Sequence, residues 1–464
     1  MHKTNNPLSC FLSESRSLLR LSLPIIITQL ATQGMAFVDT TMAGQASAAD
    51  LAAIAVGASL WVPASLLLRG ILMSLTPVTA HHRGAGHLRG ITRDLGQTIW
   101  IALMCAFVLV LYLNQGERIL TFMSVAPSVV PIAHGYLVAL AFGVPGIALF
   151  YTLNSFSEGM GNTRAPMVIA LIGLVINIPV NYVLIYGKLG FPAMGAVGCG
   201  WATSLVYWLM SVMMWLYIRG HHHYKTLLDF TLMRPQWQRM SALFKLGLPI
   251  GINIFVCGSI FAVIALLIGK LGANHIASAQ VALNFSSMTY MIPMSLSFGI
   301  TIRVGHALGE GHAAVARLRA YAGIVLATLM SLVSVSALLL FPQQIIAMYT
   351  ADPEIVAGAS ALLVYTAIYQ LSDAVQTAAN GALRGYKDTR LPMWFACFSY
   401  WGVALPIGYT LAMTDWFIPA MGNRGFWFGI VIGLTLAALF MVARLVKVIR
   451  GQQSDTEPML VAMS

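Results

Sequence analysis

Apolar runs recur along the whole chain, and they restrict its possible folds more than any other feature. Each run has about 20 residues, enough to cross ~30 Å of hydrocarbon as an α-helix. Hydrophobic residues make up 58% of the 464 and charged residues 9%, with a mean hydropathy of +0.79. Too few polar side chains remain to cover soluble domains, and the runs do not alternate in polarity as in a membrane β-barrel. We predict an all-α membrane protein with twelve spans, near residues 18–43, 52–80, 96–113, 129–152, 166–187, 196–218, 246–269, 276–301, 320–341, 355–383, 392–413 and 426–446.

The basic residues lie almost entirely on one side of these spans. Of the 26 lysines and arginines, 21 fall in the N-terminus, the even-numbered loops and the C-terminus. The odd-numbered loops hold four, and Arg69 lies inside the second span. Lysine and arginine collect on the cytoplasmic side of membrane proteins, so we predict that both termini are cytoplasmic. The net charge of +11 therefore reflects topology, and we expect no nucleic-acid partner.

The second half of the sequence repeats the first. Leu21–Ile25 aligns without gaps on Leu246–Ile250, and the register holds as far as His87 and His312. Two six-helix halves with an even number of spans enter the membrane in the same orientation, which favours two pseudo-symmetric lobes that rock against each other in a transporter. The predicted division is an N-terminal lobe 1–218, a cytoplasmic linker 219–245, a C-terminal lobe 246–450 and a tail 451–464.

Two acidic residues fall well inside predicted spans, Asp39 in the first and Asp373 in the tenth. A carboxylate at the centre of a span costs about 2.5 to 3.5 kcal/mol to insert, so such residues are candidates for function. Either side chain could hold a proton or ionise and accept a cation, which is the chemistry of an ion-exchange site. A purely structural carboxylate that bonds a neighbouring helix is the alternative.

A polar cluster is predicted around Asp39. Asn177 and Asn181 are one helical turn apart around Pro179 in the fifth span, at a depth similar to that of Asp39. Thr203 enters at a comparable depth from the sixth span. We interpret these four polar residues as one site, although the two asparagines could equally act as hydrogen-bonding glue between helices.

A second cluster is predicted in the other half. Tyr369, Asp373 and Gln376 share one face of the tenth span with Asn380. Polar pairs one turn apart also occur in the seventh and eighth spans, and we place in this cavity the residues Cys257, Gln280 and Asn284. Arg69 could pair with a carboxylate, line a cleft or extend towards the interface. The residue pattern does not choose between these roles.

Motifs for other classes of protein are missing from the sequence. It has no GxxxxGK[ST] phosphate-binding loop and no GxSxG hydrolase motif. Its five cysteines are scattered, without a CxxC pair. We therefore expect a transporter driven by an ion gradient, without enzymatic activity, resident metal or cofactor.

Several motifs together resemble the multidrug and toxic compound extrusion (MATE) family, specifically its bacterial NorM branch. They occur in family order over nearly the whole chain, as Phe37–Thr40, Asn177–Tyr182, Gly195–Gly200, Ala282–Ser287 and Leu383–Thr389. The resemblance implies an inner-membrane antiporter that exports amphiphilic cationic drugs in exchange for Na⁺ or H⁺. It also implies that Asp39 is the coupling carboxylate of the first lobe, and that Tyr369 and Asp373 belong to a cation site in the second. We expect a monomer in the bilayer.

The sequence departs from that branch at two positions. Cys257 stands where the resemblance leads us to expect a glutamate, and a thiol is a poor ligand for Na⁺. Arg69 stands where the branch usually has an uncharged residue or histidine. Both changes favour H⁺ coupling through Asp39, with Asp373 assisting or binding the drug cation. A lipid-precursor flippase of the same superfamily, and a membrane enzyme or accessory subunit, are the alternative functions.

Overall fold

The structure, a computed structural model, describes residues 7–221, 234–350, 352–416 and 419–461. The chain is 88% helical, and the described ranges contain no β-strand. The helices of the first half are α1 Pro7–Ala46, α2 Ala48–Leu72, α3 Leu75–Gly84, α4 Leu88–Asn114, α5 Gly116–Phe122, α6 Val130–Gly159, α7 Arg164–Tyr186 and α8 Gly195–Gly220. Those of the second half are α9 Trp237–Ile268, α10 Ala273–Gly309, α11 Ala313–Leu340, α12 Pro342–Ala347, α13 Pro353–Gly385, α14 Arg390–Ala396, α15 Leu405–Met413 and α16 Asn423–Val461.

Two short helical pieces complete these elements. A 3₁₀ turn, Gly269–Leu271, follows α9, and a π-helical stretch, Cys397–Ala404, joins α14 to α15. The predicted eleventh span is therefore one helix with a widened middle, running from Arg390 to Met413. Such π-helical segments often occur near functional sites.

Eleven candidate membrane spans meet both the length and the hydropathy expected of a transmembrane helix within the described residues. The predicted span 276–301 lies in α10, which has 37 residues and is long enough to cross a bilayer. It is less apolar than the others because polar side chains such as Gln280 and Asn284 lie along it. The all-helical, multi-pass membrane fold predicted from the sequence is confirmed.

Contacts divide the chain into two compact units, and the division crosses two helices. The first unit is Leu23–Gly251, and the second combines Met1–Ser22 with Ile252–Ser464. The sequence-based division instead places residues 1–22 in the N-terminal lobe and 246–251 in the C-terminal lobe. Much of the predicted linker, residues 222–233, lies outside the described residues.

The unit boundaries fall inside α1 and α9 because the start of each half's first helix packs on the core of the other half. Leu18 of α1 is fully buried in a cluster with Leu296 and Ile300 of α10. Its repeat equivalent in α9, Leu243, is buried in a cluster that includes Leu68 and Ile71 of α2. Each half's first helix thus contributes residues to both units.

Each unit has a helix that packs against several others. In the first unit this is α6, which contacts α2, α3, α4 and α8. In the second unit it is α13, which contacts α10, α11 and α16. Small residues permit the close packing: a side chain at Gly143 of α6 would collide with Ser204 of α8. Asp39 belongs to the first unit and Asp373 to the second.

The approach of α9 to α2 is close enough to require glycine, which gives a stability prediction. A Cβ atom at Gly247 would lie 2.2 Å from the backbone oxygen of Ile71, which cannot move aside. We expect Gly247→Ala to destabilise the fold by about 1 to 3 kcal/mol through overpacking. Thermal melting of the detergent-purified protein measures this effect. Gly269→Ala is the control, since a Cβ there meets no atom within 4 Å; equal melting temperatures for both variants would contradict the prediction.

Candidate functional site

The carboxylate of Asp39 lies on α1 and accepts hydrogen bonds from two other helices. On α7, Asn181 Nδ2 lies 2.6 Å and Asn177 Nδ2 lies 3.1 Å from Asp39 Oδ1. On α8, Thr203 Oγ1 donates to Asp39 Oδ2 at 2.8 Å. The four residues that were grouped by depth in the membrane are therefore in direct contact.

The thiol of Cys199 is a further hydrogen-bonding neighbour of this carboxylate, and sequence reasoning missed it. Cys199 and Thr203 are four residues apart on α8 and so share one face of that helix. This spacing is the signal that could have found the cysteine.

All of these donors are neutral, and the site is shielded from solvent. Asp39 is 8% exposed, and Asn177 and Asn181 are completely buried. Among the residues that the structure describes, no lysine, arginine or histidine forms an ion pair with Asp39. A buried carboxylate without a cationic partner is costly unless something else balances its charge. The site is thus suited to a mobile cation.

The two asparagines keep an unused acceptor each. Their amide nitrogens face Asp39, while Asn177 Oδ1 and Asn181 Oδ1 are buried without a hydrogen-bond partner in the described part of the chain. Buried amide oxygens are normally hydrogen-bonded, so unused ones at a binding site call for an explanation. The site therefore holds acceptor capacity that this arrangement does not use.

A second acid, Asp50, fixes the helix that carries Thr203. It lies in the first turn of α2, and its Oδ1 accepts a hydrogen bond from the backbone nitrogen of Ala196 at 2.7 Å. Ala196 belongs to the first turn of α8, whose free N–H groups attract negative charge. The role of Asp50 in this arrangement is structural.

In the second unit, Asp373 on α13 is half-buried and has a weaker local partner. Thr377 Oγ1, one turn later, donates to Asp373 Oδ1 at 3.4 Å. Tyr369 is almost fully buried, but its hydroxyl donates to Ser286 Oγ at 2.7 Å and not to Asp373. The shared helix face therefore places Tyr369 next to Asp373 without a hydrogen bond between them.

Hydroxyl and thiol groups surround this second carboxylate. Asp373 interacts electrostatically with Cys257, Tyr290 and Tyr400 as well as with Tyr369. Sequence reasoning missed Tyr290 and Tyr400. A phenol in the middle of an apolar span was the available signal for both.

The remaining residues predicted for the second cavity form separate contacts. Gln376 accepts a hydrogen bond from the hydroxyl of Tyr400 at 2.8 Å, and Cys257 is hydrogen-bonded to the same two side chains. Gln280 Nε2 donates to Asn284 Oδ1 at 3.0 Å, one turn along α10. No hydrogen bond in the described ranges joins Gln280 or Asn284 to Asp373. The structure thus brings Gln376 and Cys257 together and leaves the α10 pair apart.

Arg69, the basic residue inside the second span, stacks on an aromatic ring. Its guanidinium carbon lies 5.6 Å from the centre of the Tyr151 ring, a cation–π geometry. Tyr151 is hydrogen-bonded to Tyr207, which interacts electrostatically with both Arg69 and Asp39. Arg69 forms no ion pair with any carboxylate that the structure describes. Of the three roles considered for Arg69, pairing with an acid is absent from this arrangement.

A cavity of about 710 Å³ lies in the first unit, away from these residues. It is bounded by α2, α4 and α9, and its lining is almost entirely apolar, with Leu67, Met104 and Phe244 among the side chains. None of the predicted site residues lines it. Such a lining offers no ligand for an ion, so this cavity is separate from the two carboxylate sites.

A repeated six-helix plan with a carboxylate inside a membrane span of each unit is typical of one class of membrane protein, the secondary transporters. The chain belongs to the MatE family: the family model matches residues 24–183 and again residues 249–410. These matches begin at Pro24 and Pro249, which are equivalent residues of the internal repeat. The resemblance inferred from the motifs is confirmed, and members of the family are transporters and not enzymes.

Curated relatives are similar over almost their full length. The probable multidrug resistance protein NorM of Shewanella oneidensis is 43% identical over 93% of this chain and 94% of its own. The multidrug resistance protein MdtK of Yersinia pseudotuberculosis is 44% identical over 94% of this chain and 96% of its own. At these identities the relatives share the family and the fold.

Solved structures agree on the fold. The eukaryotic MATE transporter AtDTX14 superposes with a TM-score of 0.82 at 20% identity, covering 96% of this chain and 99% of that one. A MATE protein in a bent conformation superposes with a TM-score of 0.85, also at 20% identity, covering 97% of this chain and 99% of that one.

Proposed function

We propose that this protein is a multidrug efflux antiporter of the bacterial inner membrane, which exports amphiphilic organic cations in exchange for protons. The observation that carries the proposal is the Asp39 carboxylate, 8% exposed and held only by neutral hydrogen-bond donors. Such a group is stable in the membrane when a cation visits it. The names of the NorM and MdtK relatives, both multidrug resistance proteins, support drugs as the exported cargo.

Proton binding changes what Asp39 needs from its neighbours. The ionised carboxylate only accepts hydrogen bonds, and the amide nitrogens of Asn177 and Asn181 supply them. The protonated form also donates one. Rotating a single amide would present an unused oxygen, Asn177 Oδ1 or Asn181 Oδ1, to that proton. Protonation thereby alters the bonding between α1 and α7, which gives the proton a means to shift the conformational equilibrium.

Sodium coupling requires a larger rearrangement of the same residues. A sodium ion prefers several oxygen ligands, whereas both asparagines present nitrogen to Asp39. The side-chain amides of Asn177 and Asn181 would both have to rotate to present their oxygens to a sodium ion. In the other unit, Cys257 supplies sulfur and not oxygen beside Gln376 and Tyr400. These features favour the proton as the coupling ion.

Asp373 is the proposed binding group for the drug cation. It is half-buried, and tyrosines 290, 369 and 400 interact with it. Aromatic rings and a carboxylate together attract organic cations, including those that donate no hydrogen bonds. A site of this composition would accept organic cations of different shapes.

The transport cycle follows from these two roles. A proton from outside binds Asp39, the first unit repacks, and the drug cation leaves outward; release of the proton to the cytoplasm resets the protein. We propose that a monomer performs this cycle, with both termini in the cytoplasm as the positive-residue bias indicates.

Reconstitution in liposomes tests the proposal. Purified protein, ethidium and an internal pH-sensitive dye allow drug and proton fluxes to be followed together. We expect an imposed pH gradient to drive ethidium movement with opposite proton flux, and a sodium gradient at equal pH to drive none. Ethidium movement that ignores both gradients would contradict antiport. Movement driven by the sodium gradient alone would contradict proton coupling.

A further inference from the structure

Ion pairs hold the start of each half's first helix in its unit. We call residues 7–22 of α1 and 237–251 of α9 the leading segments. In the second unit, Glu14 accepts a hydrogen bond from Arg303 Nε at 2.7 Å, and Arg319 Nε lies 3.7 Å from the same carboxylate. In the first unit, Arg239 lies 3.2 Å from Asp94, which also contacts His82 at 2.9 Å. Each leading segment therefore carries one charge that pairs with the unit it packs on.

These residues occupy equivalent positions of the repeat, with their charges reversed. In the repeat alignment that matches Leu246 with Leu21, Arg239 is equivalent to Glu14 and Arg319 is equivalent to Asp94. The equivalence is structural as well, because α4 and α11 both follow a turn with a glycine at positive φ, Gly86 at 70° and Gly311 at 79°. One unit thus pairs a glutamate of its leading segment with arginines, and the other pairs an arginine of its leading segment with an aspartate.

The two leading segments share part of their apolar packing. Leu18 and Leu243 are repeat equivalents and are both buried, at 0% and 4% exposure. The adjoining sequences, Leu21–Ile25 and Leu246–Ile250, are nearly the same. The shared leucines suit either unit, but Ser22 is the repeat equivalent of Gly247, where a side chain would meet the backbone oxygen of Ile71. The reversed charges of Glu14 and Arg239 add an electrostatic difference to this steric one.

Packing on the wrong unit would bring like charges together. Glu14 would lie against Asp94, and Arg239 would lie against Arg319. Glu14 is 8% and Asp94 is 7% exposed, so neither charge could escape into solvent from such an arrangement. Like charges forced together in a buried contact are strongly unfavourable.

The order of synthesis makes this discrimination useful. The first half of a chain emerges and begins to fold before the second half exists. During that interval, residues 7–22 have only the first unit's site beside α4 to pack on, since residues 237–251 have not yet been made. Repulsion between Glu14 and Asp94 would keep this site open for its proper segment.

We propose that the reversed charges at Glu14, Asp94, Arg239 and Arg319 select which leading segment packs on which unit. Attraction between opposite charges stabilises the native packing of each segment, and repulsion between like charges disfavours the exchanged packing. The pairing partner is a segment of the same chain, and the proposal does not depend on the transport activity.

The double variant Asp94→Arg with Arg239→Glu tests selection apart from stability. It keeps an ion pair in the first unit, but both leading segments then carry a glutamate at the equivalent position and both sites carry an arginine. Two cysteine pairs, in a background without native cysteines, report the packing by cross-linking in membranes. Gln97→Cys with Gln236→Cys reports the native arrangement, since Gln97 Oε1 accepts from the nitrogen of Gln236 at 2.7 Å. Gln97→Cys with Phe11→Cys reports the exchanged one, because Phe11 is the repeat equivalent of Gln236.

We expect the exchanged cross-link to rise by roughly tenfold or more in the double variant, because the like-charge penalty has been removed. Arg239→Glu alone should lower the melting temperature, and adding Asp94→Arg should restore it. Arg89→Glu is the matched control for Arg239→Glu: this exposed arginine has no ion pair among the described residues, and its reversal changes the net charge by the same amount as that single variant. The control should leave both cross-links unchanged.

An exchanged cross-link that stays at the wild-type level in the double variant would overturn the proposal, since packing alone would then select the segments. A control that raises this cross-link as much would also overturn it. If the double variant does not reach the membrane, Asp94→Asn with Arg239→Gln replaces it. This neutral pair also removes the repulsion and should raise the exchanged cross-link, by a smaller factor.

Discussion

Replacing Asp39 by asparagine is expected to abolish ethidium export driven by a pH gradient, down to the rate of liposomes without protein. The amide has the shape of the carboxylate but cannot exchange a proton at neutral pH. Asn177, Asn181 and Thr203 can still hydrogen-bond to it, since an amide offers both an acceptor and donors. The fold should therefore survive while coupling is lost. Proton flux, dye flux and the melting temperature measure the three consequences.

Glu117→Gln serves as the control for this experiment. It also converts an acid to an amide, but Glu117 is exposed in the first turn of α5 and outside the predicted site. Its export rate should equal that of the wild-type protein. Full pH-driven export by Asp39→Asn would exclude Asp39 as the coupling group. A large drop in the melting temperature would instead assign Asp39 the structural role that the sequence left open.

The fold could be read from the sequence to the level of spans and repeat, because bilayer thickness and backbone hydrogen bonding leave few alternatives. The point at which the chain divides into its two units could not be read from the same pattern. Leu18 and Leu243 satisfy the same apolar pattern in both halves, so nothing in that pattern tells which unit each one packs on. The signal was present in residues that differ between the repeats, such as Glu14 and Arg239 in charge and Ser22 and Gly247 in size.

The depth in the membrane predicted from the sequence was enough to group the residues around Asp39. Asn177 and Asn181 are one turn apart on α7 and fully buried, so both face the interior at the level of the carboxylate. Around Asp373, depth and helix face were less informative. They place Tyr369 nearby but cannot show that its hydroxyl bonds to Ser286. They also cannot show that Gln280 and Asn284 satisfy each other, since side-chain rotamers decide both outcomes.

Asp373→Asn is expected to weaken the binding of cationic drugs while leaving coupling intact. Removing one charge from a half-buried site that lies among tyrosines should raise the KM for ethidium by about tenfold, equivalent to ~1.4 kcal/mol. The proton-to-drug exchange ratio should not change, because Asp39 carries the proton in the proposed cycle. Ethidium binding to the purified protein, followed by fluorescence, gives the affinity directly.

A neutral drug provides the internal control for this variant, since its binding does not use the negative charge. Asp415→Asn is the matched substitution, as Asp415 is exposed and bonds only a backbone nitrogen, that of Ala420 at 2.8 Å, among the described residues. It should leave the KM unchanged for both drugs. If Asp373→Asn instead uncouples proton flux and keeps the wild-type KM, the two carboxylates have exchanged their proposed roles. Because each role predicts a different measured quantity, the pair of variants separates proton coupling from cation binding even if both reduce drug export.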